Sequence, residues 1–169
     1  SDPNTFSFLT KNAAEGVNYG LEINMELDVN ETLNIFANLG FLETEIKNWK
    51  SRPDLEGRSQ AHAPKKSYAF GLNWDPILNY YLRLEVTGKS SFYYSDSHDK
   101  QSDSYSLTNL NLGYQKDQWK AELWLRNAFD KYYSVRGFYF GNEPPNFEST
   151  LYQRHGDPRH YGVTLRYDF

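Results

Sequence analysis

Between residues 17 and 29 every second side chain is apolar: Val17, Tyr19, Leu21, Ile23, Met25, Leu27 and Val29 alternate with Asn18, Gly20, Glu22, Asn24, Glu26 and Asp28. Successive side chains of an extended chain point to opposite faces, so this two-residue period predicts a strand with one apolar and one polar face. At about 3.3 Å per residue and a tilt near 45°, such a strand rises about 30 Å, enough to cross the apolar band of an outer membrane. A soluble sandwich would use the same alternation to separate core from water, so the rest of the chain must discriminate.

The pattern recurs. Leu33, Ile35, Ala37, Leu39 and Phe41 return after a tight turn at Asn30-Glu31-Thr32; Tyr68, Phe70, Leu72 and Trp74 precede a turn beginning at Asp75-Pro76. Tyr80, Leu82, Leu84 and Val86 follow, then Leu110, Leu112 and Tyr114, a turn at 116–118, and Trp119, Ala121, Leu123 and Leu125. The closing DPRHYGVTLRYDF sets Tyr161, Val163, Leu165, Tyr167 and Phe169 on one face, and a short first strand is expected at 6–10. Short turns at 30–32, 75–79 and 116–118 alternate with long aperiodic stretches at 43–66, 90–104 and 127–158, the turn and loop asymmetry of an outer-membrane barrel. Trp74, Tyr80, Tyr114, Trp119, Tyr167 and Phe169 fall at the short-turn end, where an interfacial aromatic girdle on the periplasmic side is expected. The reading is all-β: an antiparallel transmembrane β-barrel of about eight strands.

Composition agrees. Aromatic residues make up 17% of the chain while mean hydropathy is −0.80, too little aliphatic content for a well-filled soluble core but enough for a sheet showing apolar side chains on one face. No apolar run approaches the roughly 20 residues of a transmembrane helix, and the polar start SDPNTF does not resemble a signal peptide, so an export signal is expected upstream or already removed. The net charge of −4 and the lack of a dense Lys/Arg cluster argue against nucleic acid as a partner. Without cysteine there is no disulfide or thiolate chemistry.

The segment Asn127-Ala128-Phe129-Asp130-Lys131-Tyr132-Tyr133 resembles the NxFDKxY segment near the end of TonB-dependent outer-membrane receptors. Gly156-Asp157-Pro158-Arg159 with the following YGVTLRYDF is similar to their final strand, and Ala63-Pro64 precedes a Gly-Leu-Asn-Trp strand as it does there. The resemblance covers most of residues 16–169. It implies the C-terminal portion of a barrel of about 22 strands, without the N-terminal plug. It further implies the outer membrane of a Gram-negative bacterium, uptake of a nutrient such as a ferric siderophore, and contact with TonB only through the absent plug. The partners expected are outer-membrane lipid, the rest of the barrel and plug, and the barrel-assembly machinery reading the terminal Phe169. A self-contained eight-stranded barrel with a structural or adhesion role is the alternative.

An enzyme reading finds no support: His62, His98 and His155 lie in loops and His160 on the polar face, with no triad or metal-ligand spacing and no cofactor motif. Asp96, Asp99 and Asp103 lack the glycine and closing glutamate of a calcium loop. The polar-face Glu22, Glu26, Arg83, Glu85, Glu122, Arg126 and Arg166 are expected to form charge ladders. Ligand contacts are sought instead among loop aromatics: Tyr93 and Tyr94 with His98, and Tyr132, Tyr133, Phe138, Tyr139 and Phe140 with Arg136.

Overall fold

The fold is known from a computed structural model that describes residues 15–169. The short strand expected at 6–10 lies outside the described residues. Seven strands form one antiparallel sheet: β1 (Glu15–Asn30), β2 (Leu33–Lys47), β3 (Lys66–Ile77), β4 (Tyr80–Lys89), β5 (Tyr105–Lys116), β6 (Trp119–Arg126) and, skipping a separate hairpin, β9 (His160–Tyr167). The hairpin is β7 (Ser134–Gly141) with β8 (Ser149–His155), and a single 3-10 turn covers Pro53–Leu55. β1 and β9 stand at opposite ends of the order, so the barrel is not closed. The alternative of a self-contained eight-stranded barrel therefore lacks its closing seam among the described residues.

Register keeps the alternation coherent from strand to strand. One apolar row runs Ile23, Leu39, Tyr68; another runs Ile35, Leu72, Leu84, Leu110; and Ala121 pairs with Leu165 beside Leu123 with Val163. A one-residue slip would send every one of these side chains to the polar face. Leu21 remains 58% exposed, Leu123 54% and Leu165 70%, and no second sheet packs over them, which removes the soluble-sandwich alternative among the described residues. Covering such side chains is worth about 1.5–3 kcal/mol each, so this face requires an apolar surrounding. Of the buried hydrophobic residues, Ile46, Leu55, Phe92 and Tyr94 sit instead at the long-loop end, and Tyr81 lies on the polar face beside Glu122.

On the polar face the expected charge ladders take another form. Asn34 donates to Glu26 at 3.0 Å and to Asp28 at 2.8 Å, Tyr81 to Glu122 at 2.6 Å, Asn109 to Glu85 at 3.4 Å, and Arg126 to Asn111 at 2.6 Å. The ion pair formed by Arg166 is with Asp168 at 2.7 Å, not with a neighbouring strand. Amides and a phenol thus stand between the charges and satisfy carboxylates that would otherwise sit side by side.

Turns form where expected, with one adjustment. Asn30 Oδ1 accepts both the amide and the hydroxyl of Thr32 at 2.9 Å, and Asn79 and Asp117 take the left-handed conformation at the other two short turns. Asp75 and Pro76 do not open a turn; β3 continues through them to Ile77 with a register shift between Trp74 and Ile77. The bulge accommodates a proline that cannot donate to the ladder.

The larger correction concerns residues 127–158, expected as one long loop. They hold the β7–β8 hairpin, whose consecutive Phe138, Tyr139 and Phe140 put aromatics on both faces and so erase the two-residue period.

Candidate functional site

Three loop segments meet at the long-loop end. Arg58, its side chain 10% exposed, joins the first two: it donates to Asp99 Oδ1 at 2.6 Å, to Asp96 Oδ1 at 3.3 Å, and to the carbonyls of Ser95 at 3.0 Å and His98 at 3.2 Å. Its guanidinium also lies 4.4 Å from the Tyr93 ring centroid. The planar fork of arginine suits this task, because one side chain serves carboxylates and carbonyls together while its face stacks on an aromatic. Asp96 and Asp99, weighed as calcium ligands, are thereby occupied by a cation of the protein itself. Nearby, Arg52 binds Asp54 at 2.8 Å and holds that carboxyl below the usual carboxylate range.

The second loop is pinned to the hairpin by Tyr94. Its hydroxyl accepts from Gln153 at 2.8 Å, its ring meets Phe92 edge-on at 5.9 Å, and it lies directly over Gly137, where a Cβ would overlap the ring. Glycine is needed there for close approach. Between loop and hairpin opens a cavity of about 350 Å³. Tyr94, His98, Arg136, Phe138, Tyr139 and Phe140 all line it, joined by His62, Ser95 and Ser97, and no carboxylate is among them. His98 meets Tyr139 edge-on at 5.8 Å, and the Lys100 ammonium sits 4.6 Å from the Tyr139 centroid. Arg136 pairs across the hairpin with Arg154, and the ion pairs among the described residues engage neither. A guanidinium in the cavity lining with no carboxylate beside it suits an anion.

Three other candidates lie elsewhere. Tyr93 stacks on Arg58, Tyr132 stacks on His155 at 4.1 Å, and Tyr133 packs on Tyr105 at 4.5 Å and over Gly156. Burial, with Tyr105 and Asp157 nearby, pushes the Tyr133 phenol up.

Tyr132 and Tyr133 belong to a latch at the hairpin base. Asn127, 4% exposed, donates to the carbonyls of Lys131 at 3.0 Å and Asp157 at 3.1 Å and accepts from the Lys131 amide at 2.8 Å. Asp130 accepts from the Arg159 amide at 2.8 Å. The Asn and Asp of the NxFDKxY segment thus tie the end of β6 to the start of β9, and the segment has a structural explanation.

At the other end, Trp74 is 43% exposed, Tyr80 lies 4.8 Å from Tyr114, Trp119 4.8 Å from Tyr167, and Tyr167 5.1 Å from Phe169. Sequence reasoning missed Arg58, since its partners lie about forty residues along the chain, and it met Asn127 only as a motif residue, its bond to Asp157 spanning the whole hairpin. The consecutive aromatics of the hairpin were the local signal for the cavity.

A family model for the TonB dependent receptor-like β-barrel matches residues 1–128. The chain belongs to the TonB-dependent receptor β-barrel family. Barrels of this family are outer-membrane proteins of Gram-negative bacteria. Among solved structures, the siderophore receptor PiuA from Acinetobacter baumannii superposes with a TM-score of 0.73 at 16% identity, over 91% of this chain and 22% of that one. The ferric yersiniabactin uptake receptor FyuA from Yersinia pestis gives 0.77 at 17% identity, over 94% and 24%. The ferric preacinetobactin receptor BauA from Acinetobacter baumannii gives 0.69 at 18%, over 93% and 23%. The chain therefore spans about a quarter of the length of these TonB-dependent receptors, and at such identities the likeness is one of fold.

Proposed function

We propose that this chain forms the C-terminal strands of an outer-membrane TonB-dependent receptor that binds and imports an anionic nutrient chelate, such as a ferric siderophore. The observation that carries the reading is the cavity between the 90–104 loop and the β7–β8 hairpin, which gathers aromatic rings, His98 and Arg136 with no carboxylate in its lining. Aromatic faces and guanidinium groups recognise flat, negatively charged ligands by stacking and charge-assisted hydrogen bonds. In this reading Tyr94, His98, Arg136, Phe138, Tyr139 and Phe140 touch the ligand, while Tyr93, Tyr132 and Tyr133 support the loops. The protein acts as a receptor and performs no catalysis.

The same reading assigns the remaining surfaces. The apolar face meets outer-membrane lipid, with Trp74, Tyr80, Tyr114, Trp119, Tyr167 and Phe169 as the periplasmic girdle. The free edges of β1 and β9 pair with the rest of the barrel, since unpaired backbone groups cost several kcal/mol each in lipid. The polar face lines a lumen filled by a plug, through which TonB acts, and the barrel-assembly machinery reads the strand ending at Phe169.

The test is growth of an iron-starved bacterium relying on the full-length receptor, supplied with a panel of catecholate and carboxylate ferric siderophores. Arg136→Ala and Tyr139→Ala are expected to abolish growth on one member of the panel while surface expression is retained. Growth on no member, or on that member undiminished in both variants, contradicts the reading.

A further inference from the structure

Charge is segregated across the polar face of the sheet. Its positions on β1, β2 and β3 hold Glu22, Glu26 and Asp28 and neither lysine nor arginine, whereas those on β4, β6 and β9 hold Arg83, Lys120, Arg126 and Arg166. In this second half Arg166 pairs with Asp168, and the other carboxylates are met by neutral donors, Glu85 by Asn109 and Glu122 by Tyr81. Arg83, Lys120 and Arg126 join none of the ion pairs among the described residues.

Aromatic rings hold these three cations along the wall. Successive rows cross Arg83, Asn111, Trp124 and Gly162, then Tyr81, Gly113, Glu122 and Thr164, then Gln115, Lys120 and Arg166. The Tyr81 ring lies over Gly113 and the Trp124 ring over Gly162, each where a Cβ would overlap it, so both rings lie along the sheet instead of standing out from it. The Arg83 guanidinium and the Lys120 ammonium each sit 5.2 Å from the Tyr81 centroid, and the Arg126 guanidinium sits 5.9 Å from that of Trp124. Tyr81 is therefore only 8% exposed on an otherwise open face. Stacking of this kind fixes long cationic side chains without neutralising them. From Lys120 to Arg126 the track covers about 20 Å of strand. At its upper end Arg126 adjoins Asn127, which anchors the hairpin that carries Arg136.

We infer that the wall formed by β4, β5, β6 and β9 is a second site for the anionic chelate, a transit site below the cavity. Arg126, Arg83 and Lys120 pair in turn with the acidic groups of the chelate as it descends, while Tyr81 and Trp124 keep the three side chains against the wall. The chemistry of the cavity, guanidinium beside ring with no unmet carboxylate, is repeated down this wall, and the half bearing Glu22, Glu26 and Asp28 repels the same ligand. A wall of one charge sign concentrates an oppositely charged solute along it. The inference rests on the reading that the receptor imports an anionic chelate.

The experiment uses the full-length receptor in iron-starved cells and the ferric siderophore of the panel on which the unmodified receptor supports growth. Surface binding is measured in de-energised cells and import in energised ones. The triple variant Arg83→Gln, Lys120→Gln, Arg126→Gln is expected to bind at the surface within about twofold of the unmodified receptor and to import about tenfold more slowly. The charge-keeping triple Arg83→Lys, Lys120→Arg, Arg126→Lys is expected to import at nearly the original rate. In the otherwise unmodified receptor, a photoreactive benzoylphenylalanine at Thr164 is expected to capture the siderophore during import, identified by its mass on the labelled peptide, and the same group at Asn24 is expected not to. Undiminished import in the glutamine triple, equal slowing in the charge-keeping triple, or capture of plug peptides alone at Thr164 overturns the transit site while the import reading stands. If the unmodified receptor imports no member of the panel, the import reading itself falls, and the site with it.

Discussion

The Arg58 guanidinium donates to Asp99 Oδ1 at 2.6 Å from the loop that follows β2 to the loop that follows β4. Because the same group also serves the Ser95 and His98 carbonyls, truncation leaves two acceptors without their donor, a loss of about 1–3 kcal/mol locally. Arg58→Ala is expected to speed proteolysis and amide exchange throughout 90–104 without changing heat-modifiable mobility of the barrel. Lysine at this position should restore part of the protection, since a point charge replaces a fork. Unchanged exchange around His98 in the alanine variant would show that the loop holds itself.

Asn127 makes a comparable connection at the base of the hairpin. Asn127→Ala is expected to cost about 2–3 kcal/mol through the lost bonds to Lys131 and Asp157. The readout is faster cleavage between residues 127 and 158 with the strands still protected. A variant as resistant as the parent would assign the latch to Asp130 and Arg159 alone.

Close approach gives a paired prediction. A Cβ at Gly156 overlaps the Tyr133 ring, so Gly156→Ala should loosen the hairpin by about 1–3 kcal/mol. Adding Tyr133→Ala removes the obstacle, and the two changes together should cost less than the sum of the single ones in a double-mutant cycle of hairpin opening. Strict additivity would mean that the contact carries no energy.

The Arg52–Asp54 pair sets a direction for pH. A carboxyl held below its ordinary range contributes at pH above its unfolded value, and loses that contribution as pH falls through the folded one. Acidification below about pH 4 should therefore raise amide exchange over residues 52–56, modestly because the pair is solvent-exposed. Asp54→Asn should show no such step, and a step of equal size in that variant would assign the effect to another carboxylate.

How much of this was legible follows from where each residue sits. The sheet's alternation could be read because one face must be apolar along the whole crossing, and each apolar side chain from Val17 to Val29 repeats that requirement. Where β2 leaves the crossing the rule inverts. Thr44 and Ile46, 7% and 3% exposed, are buried on the opposite face beneath the 55–60 loop, with Gln60 donating to Thr44 Oγ1 and the Gly57 amide to the Ile46 carbonyl. The strand thus runs to Lys47, although its outward pattern stops at Phe41. The hairpin was hidden for a related reason: with loop contacts on one side and solvent on the other, neither of its faces is uniformly apolar. Of the ligand candidates, those on β7 and the facing loop share one cavity because Gly137 admits Tyr94. That contact is between residues far apart in sequence, and the register of β7 with β8 adds to it by setting Gln153, which donates to the Tyr94 hydroxyl, opposite Gly137.

The proposed barrel puts odd-numbered residues of β1 against lipid and even-numbered ones against the lumen. With no cysteine in this chain, nitroxide labels can be placed singly at each position from 17 to 29 of the full-length receptor in lipid bilayers. Collision with oxygen, which concentrates in lipid, is then compared with collision with a water-soluble nickel chelate. A two-residue period is expected, with oxygen contact highest at Tyr19, Leu21, Ile23, Met25 and Leu27 and lowest at Gly20, Glu22, Asn24 and Glu26. A flat profile, or a maximum on the even positions, would contradict it.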